Sequence, residues 1–346
     1  MLGIGLIGLG AHGKCTLGIN AMQNKNIRIV AACDIDPSKK TVAEEHNIPF
    51  FTTDISALLQ REDVDIAGVF VGEHYEYITA ALKANKHVIT TKPLVESIDQ
   101  AREIALLRKE VDRQVMVVET YRSERMGRMI RQIYDDGLIG NMITAEASYV
   151  HDYRPVVATR PWAREVKMLL HGMVHPLSFV RWFMGDPVRV ACLASRSPLA
   201  GTQMVSPDNY QAIMEFDDGR IARTTMLLGV VDPPQRMFTY GLYGDKGSIV
   251  DDVLVRDNLY SYHRKPAGLD KSMDKARLTI DAELDRGIHG HTLPEVFVHF
   301  SEVLAGNEEP ICTFEDSLKD LLILFAMEKS YIEKQFVEVD YSALPL

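Results

Sequence analysis

The sequence predicts an α/β protein with two parts. A parallel, doubly wound sheet occupies the first third. A second α/β region follows, built on a large, mostly antiparallel open sheet. Three observations carry this expectation. Up to about residue 122, short apolar runs alternate with amphipathic helical stretches, the pattern of a parallel sheet covered on both faces. A glycine-rich turn joins the first of those runs to the first helix. Beyond that point the apolar runs follow one another through hairpin turns, which is an antiparallel arrangement. A chain of 346 residues exceeds what a single core usually supports, and the change of pattern sets the domains at 1–122 and 123–346.

Taken in order, Ile4–Ile7 is the first buried strand, and a helix is expected over His12–Gln23. Ile27–Cys33, Ile66–Val71, His87–Thr91 and Val115–Val118 are the next strands. Tyr75–Ala84 and Ile98–Val111 are amphipathic helices between them, the second opened by Ser97 and Gln100 as a capping box. In the second region Met142–His151, Val188–Ser195, Tyr210–Phe216, Arg220–Leu228, Phe238–Tyr243 and Ile249–Val255 have strand character. Asp217-Asp218-Gly219 and Gly244-Asp245-Lys246-Gly247 are the hairpin turns. Long helices fall at Leu169–Met184, Leu293–Leu304 and Glu315–Lys334, and Ala267–Ala276 is a polar surface loop. Helices cover one face of the antiparallel sheet, and a second subunit is the expected cover for the other.

The composition excludes some partners. A formal net charge of -10 opposes nucleic acid and anionic membrane surfaces. Cys15, Cys33, Cys192 and Cys312 are scattered without CxxC spacing, which suits free thiols in a reducing, cytoplasmic compartment and neither a disulfide framework nor a zinc site. The apolar N-terminus lacks a basic leader and a cleavage site, so it reads as a strand. No apolar run approaches the length of a membrane span.

Gly8-Leu9-Gly10-Ala11-His12-Gly13 fits G-x-G-x-x-G between a strand and a helix, the context that a dinucleotide requires. Gly8 permits the tight turn, Gly10 lets backbone approach a pyrophosphate, and Gly13 lets the helix pack close to the sheet. The helix N-terminus offers N–H groups to phosphate. Asp34 ends the second strand about 20 residues on, where an acid bonds the ribose 2′-hydroxyl. Asp36 lies beside it and no arginine does, which favours NAD over NADP.

Lys92 follows the fourth strand, at the edge where open α/β sheets bind ligands. There it is either a solvated lysine or a group that steadies a substrate oxygen. His171 and His175 are spaced i, i+4 on one predicted helix and share a face. They are a core and surface pair, a proton-transfer pair or a metal pair; no completing ligand is evident, and no metal is expected. Arg160, Trp162, Arg164 and Lys167 precede that helix, as either a solvated loop or substrate contacts. His289 and His291 precede the Leu293 helix in the same two readings.

These residues bring a family into view. Ile7-Gly8-Leu9-Gly10 with Gly13, His74 before Ala81-Leu82, Lys86-His87-Val88, Thr91-Lys92-Pro93 and Asp136-Gly137-Leu138-Ile139-Gly140 carry the likeness. His175 followed by Arg181-Trp182-Phe183-Met184-Gly185, Tyr243-Gly244-Asp245-Lys246-Gly247-Ser248 and Glu315-Asp316-Ser317-Leu318 extend it. Over nearly its full length the chain resembles the glucose-fructose oxidoreductase, inositol dehydrogenase and rhizopine-catabolism (Gfo/Idh/MocA) family. The resemblance implies an N-terminal Rossmann domain and a C-terminal α/β domain whose open sheet mediates a homodimer or homotetramer. It implies that Lys92 is the signature lysine, that His175 is the acid–base residue, and that a sugar, inositol or related polyol is oxidised or reduced at a CH–OH carbon. Gly8, Leu9, Gly10, Ala11, His12, Gly13, Asp34, Ile35, Val71, His74, Thr91 and Lys92 are then expected along the cofactor. Lys92, Arg122, Arg160, Trp162, His171, His175 and His291 are expected at the substrate, although Arg122 has an alternative role as a brace. The usual Glu-Lys-Pro reads Thr91-Lys92-Pro93, the usual threonine-proline reads Val71-Gly72, and the usual aspartate before the histidine is His171. Two rivals remain at this stage: an NAD-dependent glycosidase or lyase using transient oxidation, and a non-catalytic dinucleotide-sensing regulator.

Overall fold

Parallel strands need crossover connections, and the first part of the chain supplies them. The computed structural model describes residues 1–24, 26–256, 275–277 and 293–345. Six strands, β1 (Leu2–Ile7), β2 (Ile27–Cys33), β3 (Phe50–Thr52), β4 (Ile66–Val69), β5 (His87–Thr91) and β6 (Val115–Val118), form one sheet in the order β3-β2-β1-β4-β5-β6. Every pairing in it is parallel. Helices α1 (Ala11–Thr16), α2 (Lys40–Glu45), α3 (Ile55–Leu59), α4 (Tyr75–Lys83), α5 (Ile98–Val111) and α6 (Thr120–Ser123) fall between or after the strands. β4 and β6 are buried along their whole length, as a sheet covered on both faces requires. The strand order reverses between β1 and β4, which opens a crevice at the carboxyl ends of those strands.

The second sheet has nine strands: β7 (Met142–Val150), β8 (Arg189–Ser195), β9 (Asn209–Glu215), β10 (Ile221–Leu227), β11 (Phe238–Gly244), β12 (Gly247–Val250), β13 (Val253–Arg256), β14 (Lys275–Arg277) and β15 (Val337–Glu338). Their order is β14-β13-β12-β11-β7-β10-β9-β8-β15. All pairs are antiparallel except β7 and β10. The remaining helices are α7 (Arg125–Asp135), α8 (Arg154–Thr159), α9 (Val174–Met184), α10 (Pro198–Gln203), α11 (Leu293–Leu304) and α12 (Phe314–Glu333). α9 packs on β7 and β10.

The chain divides into two compact units. One comprises residues 1–123, 288–321 and 341–346; the other comprises 124–287 and 322–340. The sequence reading keeps everything beyond 122 together, whereas the first unit takes back α11. The reason is apolar. Leu293, Val296, Phe297 and Phe300 join Ile4, Leu6, Ile29 and Phe70 in one core, so α11 covers the parallel sheet.

Local differences from the sequence reading have identifiable causes. The helix expected over 12–23 is a short α1 followed by a 3₁₀ turn, Leu17–Ala21. Within that turn the Asn20 amide pairs with both backbone groups of Ile29, donating to its carbonyl at 3.1 Å and accepting from its N–H at 2.8 Å. Register between β1 and β2 slips at the same place. The strand expected at 249–255 is two, β12 and β13, divided at Asp251 with φ 49°. Asp251 is tied to Tyr240 by two bonds, its N–H donating to the Tyr240 carbonyl and its carboxylate accepting from the Tyr240 N–H. The Ser97 cap on α5 forms as expected, accepting from the Gln100 N–H at 3.2 Å. Of the loop expected at 267–276, residues 267–274 lie outside the described residues, and Lys275 and Ala276 belong instead to strand β14, paired with Val255 and Leu254. No described helix is long and apolar enough to cross a membrane.

Candidate active site

The glycine loop gives each of its three glycines a different physical task. Gly8 leaves β1 with φ 91°, a region that L side chains rarely enter. A Cβ at Gly13 would lie 2.0 Å from the Gly8 carbonyl oxygen, so this glycine permits the loop and α1 to touch. At Gly10 a Cβ would meet nothing within 4 Å. Gly10 is exposed and lines the groove described next, so a side chain there would project without meeting protein. The loop is held from behind: the Leu9 N–H donates to Asp34 Oδ2 at 2.7 Å, and the other oxygen of Asp34 accepts from the Asp36 N–H at 3.0 Å.

A groove of about 580 Å³ runs over this edge of the first unit. Gly8, Gly10, Asp34, Ile35, Val71 and His74 line it, together with Pro93, Tyr75, Glu73, Glu76, Glu96 and Gln100. Six of the residues expected along a cofactor therefore share one wall. Leu9 and Gly13 are buried beneath it, and Ile35 is 86% exposed. The donor set fits a dinucleotide: a glycine cradle for pyrophosphate, a carboxylate for a ribose diol, and an exposed apolar side chain. Among the described residues no lysine or arginine lines the groove, whereas Asp34, Glu73, Glu76 and Glu96 do.

Lys92 and the cis-linked Pro93 leave the end of β5. His74 Nδ1 donates to the Pro93 carbonyl at 2.8 Å, which ties the loop after β4 to the loop after β5. Lys92 is half-buried. Burial pushes its ammonium below the usual lysine range, and the Glu119 carboxylate pulls in the opposite direction. Glu119 is 2% exposed. Burial pushes its carboxyl up, opposed by Lys92 and by the Tyr121 N–H, which donates to it at 3.4 Å. Arg122, the expected substrate contact or brace, is also 2% exposed and donates to Asp316 at 3.0 Å.

In the second unit the two histidines stand differently from the sequence reading. Residues Leu169–Met173 form a π-helical turn before α9, so His171 and His175 do not sit on one regular helix. Gly172 lets this turn approach β10, since a Cβ there would lie 2.3 Å from Met226 Sδ. His175 is fully buried, its ring 5.4 Å from Tyr149 and 5.6 Å from Phe238. His171 is half-buried, with the exposed Trp162 ring 6.1 Å away. Single-turn π segments recur at functional sites. Arg160 is exposed. Burial pushes the Tyr149 and Tyr153 hydroxyls above the usual tyrosine range, and the Arg160 charge opposes that rise. Among the described residues no group of His, Cys, Asp and Glu is arranged to hold a metal. His289 and His291 lie outside the described residues.

Two groups escape the sequence reading. Glu119 is one; its signal is an acid directly after an apolar strand that neighbours Lys92. Tyr149, His151 and Tyr153 are the other. Tyr149 lies at the end of β7, and His151 and Tyr153 follow it before α8. The Tyr149 hydroxyl and His151 Nδ1 are hydrogen-bonded at 3.2 Å, and His151 stands edge-on to Tyr153 at 5.6 Å. Burial lowers the His151 pKa.

Residues 2–119 match the model of an oxidoreductase family with an NAD-binding Rossmann fold, and residues 127–250 match a GFO/IDH/MocA C-terminal domain. An uncharacterised oxidoreductase of Escherichia coli (strain K12), YhhX, is 26% identical over 203 residues, covering 58% of this chain and 56% of that protein. The chain thus spans little more than half the length of that relative. An inositol 2-dehydrogenase/D-chiro-inositol 3-dehydrogenase of Lacticaseibacillus casei is 27% identical over 188 residues, or 53% of each chain. A levoglucosan dehydrogenase solved with NADH superimposes with a TM-score of 0.81 at 18% identity, over 98% of this chain and 99% of that one. At that identity the match establishes the shared fold.

Proposed function

The chain belongs to the Gfo/Idh/MocA oxidoreductase family, and from that premise we propose that it is an NAD-dependent dehydrogenase or reductase acting on a CH–OH carbon of a sugar, inositol or related polyol. The observation that carries this is the groove whose wall joins the glycine cradle, Asp34 and His74, with Lys92 directly preceding the lining residue Pro93. Gly8, Gly10 and Asp34 would hold the dinucleotide, which supplies the hydride acceptor or donor when bound.

The chain's own residues supply positioning and proton handling. The Lys92 ammonium donates to the reacting oxygen and stabilises the negative charge that gathers there as the hydroxyl proton leaves, before loss of hydride turns the alkoxide into a carbonyl. His175 takes the hydroxyl proton on a ring nitrogen during oxidation and returns it in the reverse direction. Trp162, Arg160 and His171 contact the substrate. NAD is favoured over NADP by Asp34 and Asp36 and by a groove that no lysine or arginine lines among the described residues. The cysteines are free, which supports a reducing, cytoplasmic compartment. A homodimer or homotetramer forms through the nine-stranded sheet.

A panel of sugars, inositols, sugar acids and glycosides, each with NAD, tests the reading through NADH absorbance and product analysis. Reduced cofactor should accumulate with one substrate class. Cleaved glycoside without net NADH would replace the dehydrogenase by an enzyme of transient oxidation. Lys92→Met should lower kcat by about 10²-fold or more while NAD titrates nearly as in the parent. Turnover near the parent level removes Lys92 from the reaction.

A further inference from the structure

The sheet register places a buried carboxylate next to the lysine on which the proposed reaction depends. β5 and β6 are parallel, and their last register pair is Thr91 with Val118. Lys92 and Glu119 are therefore the next residues out on adjacent strands, at the same carboxyl edge. Glu119 is almost fully buried. A carboxylate so placed is costly unless a cation and hydrogen bonds answer it.

Two cations neighbour this carboxylate, Lys92 and Arg122. α6 contributes Arg122, whose guanidinium already has Asp316 at 3.0 Å. Around this group stand Asp316 and Asp320 of α12 and the buried Cys312 thiol, which feels Arg122, Glu119 and both aspartates. On the β5 side, His74 is joined to the Pro93 carbonyl. Arg122 and Lys92 both favour the ionised form of Glu119, with Lys92 the stronger influence. Reciprocally, Glu119 is the charge that opposes the burial of Lys92.

We propose that Glu119 is a positioning residue for the reaction: its carboxylate, set beside Lys92 by the β5–β6 register, anchors the lysine at the carboxyl edge and keeps it in the ammonium form. A purely structural ion pair would be a poor use of the site, because a buried carboxylate paired with a half-buried ammonium gains little net stability over an apolar pair. An ammonium that must donate to a substrate oxygen has to stay charged where water is scarce, and a lone buried lysine loses its proton. The inference rests on the assignment of Lys92 above, so its test needs one readout that does not depend on turnover.

That readout is acylation of the Lys92 amine by an amine-reactive anhydride across pH, followed by peptide mass spectrometry on the NAD-loaded enzyme. Glu119→Gln removes the charge that favours the ammonium. The labelling midpoint should fall by about 1 pH unit, and the alkaline limb of kcat should fall with it. Glu119→Asp, which keeps the charge, should restore most of both shifts. An unmoved midpoint in Glu119→Gln overturns the pairing. A shifted midpoint with an unmoved kcat limb overturns the positioning role. If Glu119→Gln does not fold, Lys92→Met gives the reciprocal measurement. Without the ammonium, Glu119 should take up a proton at neutral pH and show a protonated carboxyl band in difference infrared spectra; absence of that band overturns the pairing. Lys92→Met with near-parental turnover refutes the proposed reaction, while a labelling shift in Glu119→Gln would still establish the pair.

Discussion

At the scale of single residues, the clearest case is a pair of glycines three positions apart with opposite reasons to be glycine. A methyl on Gly13 would press on backbone, at 2.0 Å from the Gly8 carbonyl oxygen, and backbone cannot swing aside as a side-chain tip can. Gly13→Ala should therefore lower stability by ~1–3 kcal/mol or more, visible as a lower melting temperature without any cofactor. A methyl on Gly10 meets no protein atom. Gly10→Ala should melt like the parent but bind NADH about tenfold or more weakly, because the methyl occupies groove space. Equal melting and equal NADH affinity for both variants would show that the open space at Gly10 is not where the dinucleotide lies. The glycine pattern, Asp34 and Lys92 were legible in the sequence because their tasks are local: a turn, a strand end, an edge. Glu119 was not, since its meaning comes from the adjacent strand. Nor was the environment of His175, because Tyr149 and Phe238 reach it from strands distant in sequence.

At the scale of elements, local periodicity located nearly every strand of the first sheet, but β3 escaped because three residues cannot show a period. Pairing was harder to read. The parallel contact of β7 with β10 leaves no hairpin signature, and the break between β12 and β13 depends on a left-handed Asp251 that a strand pattern does not announce. The π-turn before α9 was invisible for a related reason: it is set by tertiary approach. Gly172 sits where a Cβ would come within 2.3 Å of Met226 Sδ on β10. Methionine is adaptable, so Gly172→Ala should fold, with a cost of ~1–3 kcal/mol from overpacking. If the turn serves to hold His171 and His175 in place, that variant should lose turnover beyond what its lower melting temperature explains. Parental turnover in the folded variant would make the π-turn a packing feature only.

At the scale of the molecule, the nine-stranded sheet presents a second face that α9 does not cover. Its register defines one cross-strand row: Ala191, Ile213, Arg223, Glu146, Gly241, Val250 and Val253. Ile213 is 50% exposed and Val250 46%, flanking a central Arg223–Glu146 ion pair at 2.5 Å. Leu193, one step along on β8, is 72% exposed. Exposed aliphatic side chains alternating along strands around an already satisfied ion pair suit a surface that meets a copy of itself, because a two-fold axis needs no new charge partner. Burying one isoleucine side chain contributes roughly 1.5–3 kcal/mol, and a two-fold contact counts it twice. Ile213→Glu should therefore shift sedimentation toward a smaller species at micromolar concentration. Far-ultraviolet circular dichroism should stay unchanged, since the side chain lies on the outer face. If the parent sediments as a monomer at every concentration, or Ile213→Glu assembles as the parent does, this face is not the interface and the exposed row must be accounted for by some other partner.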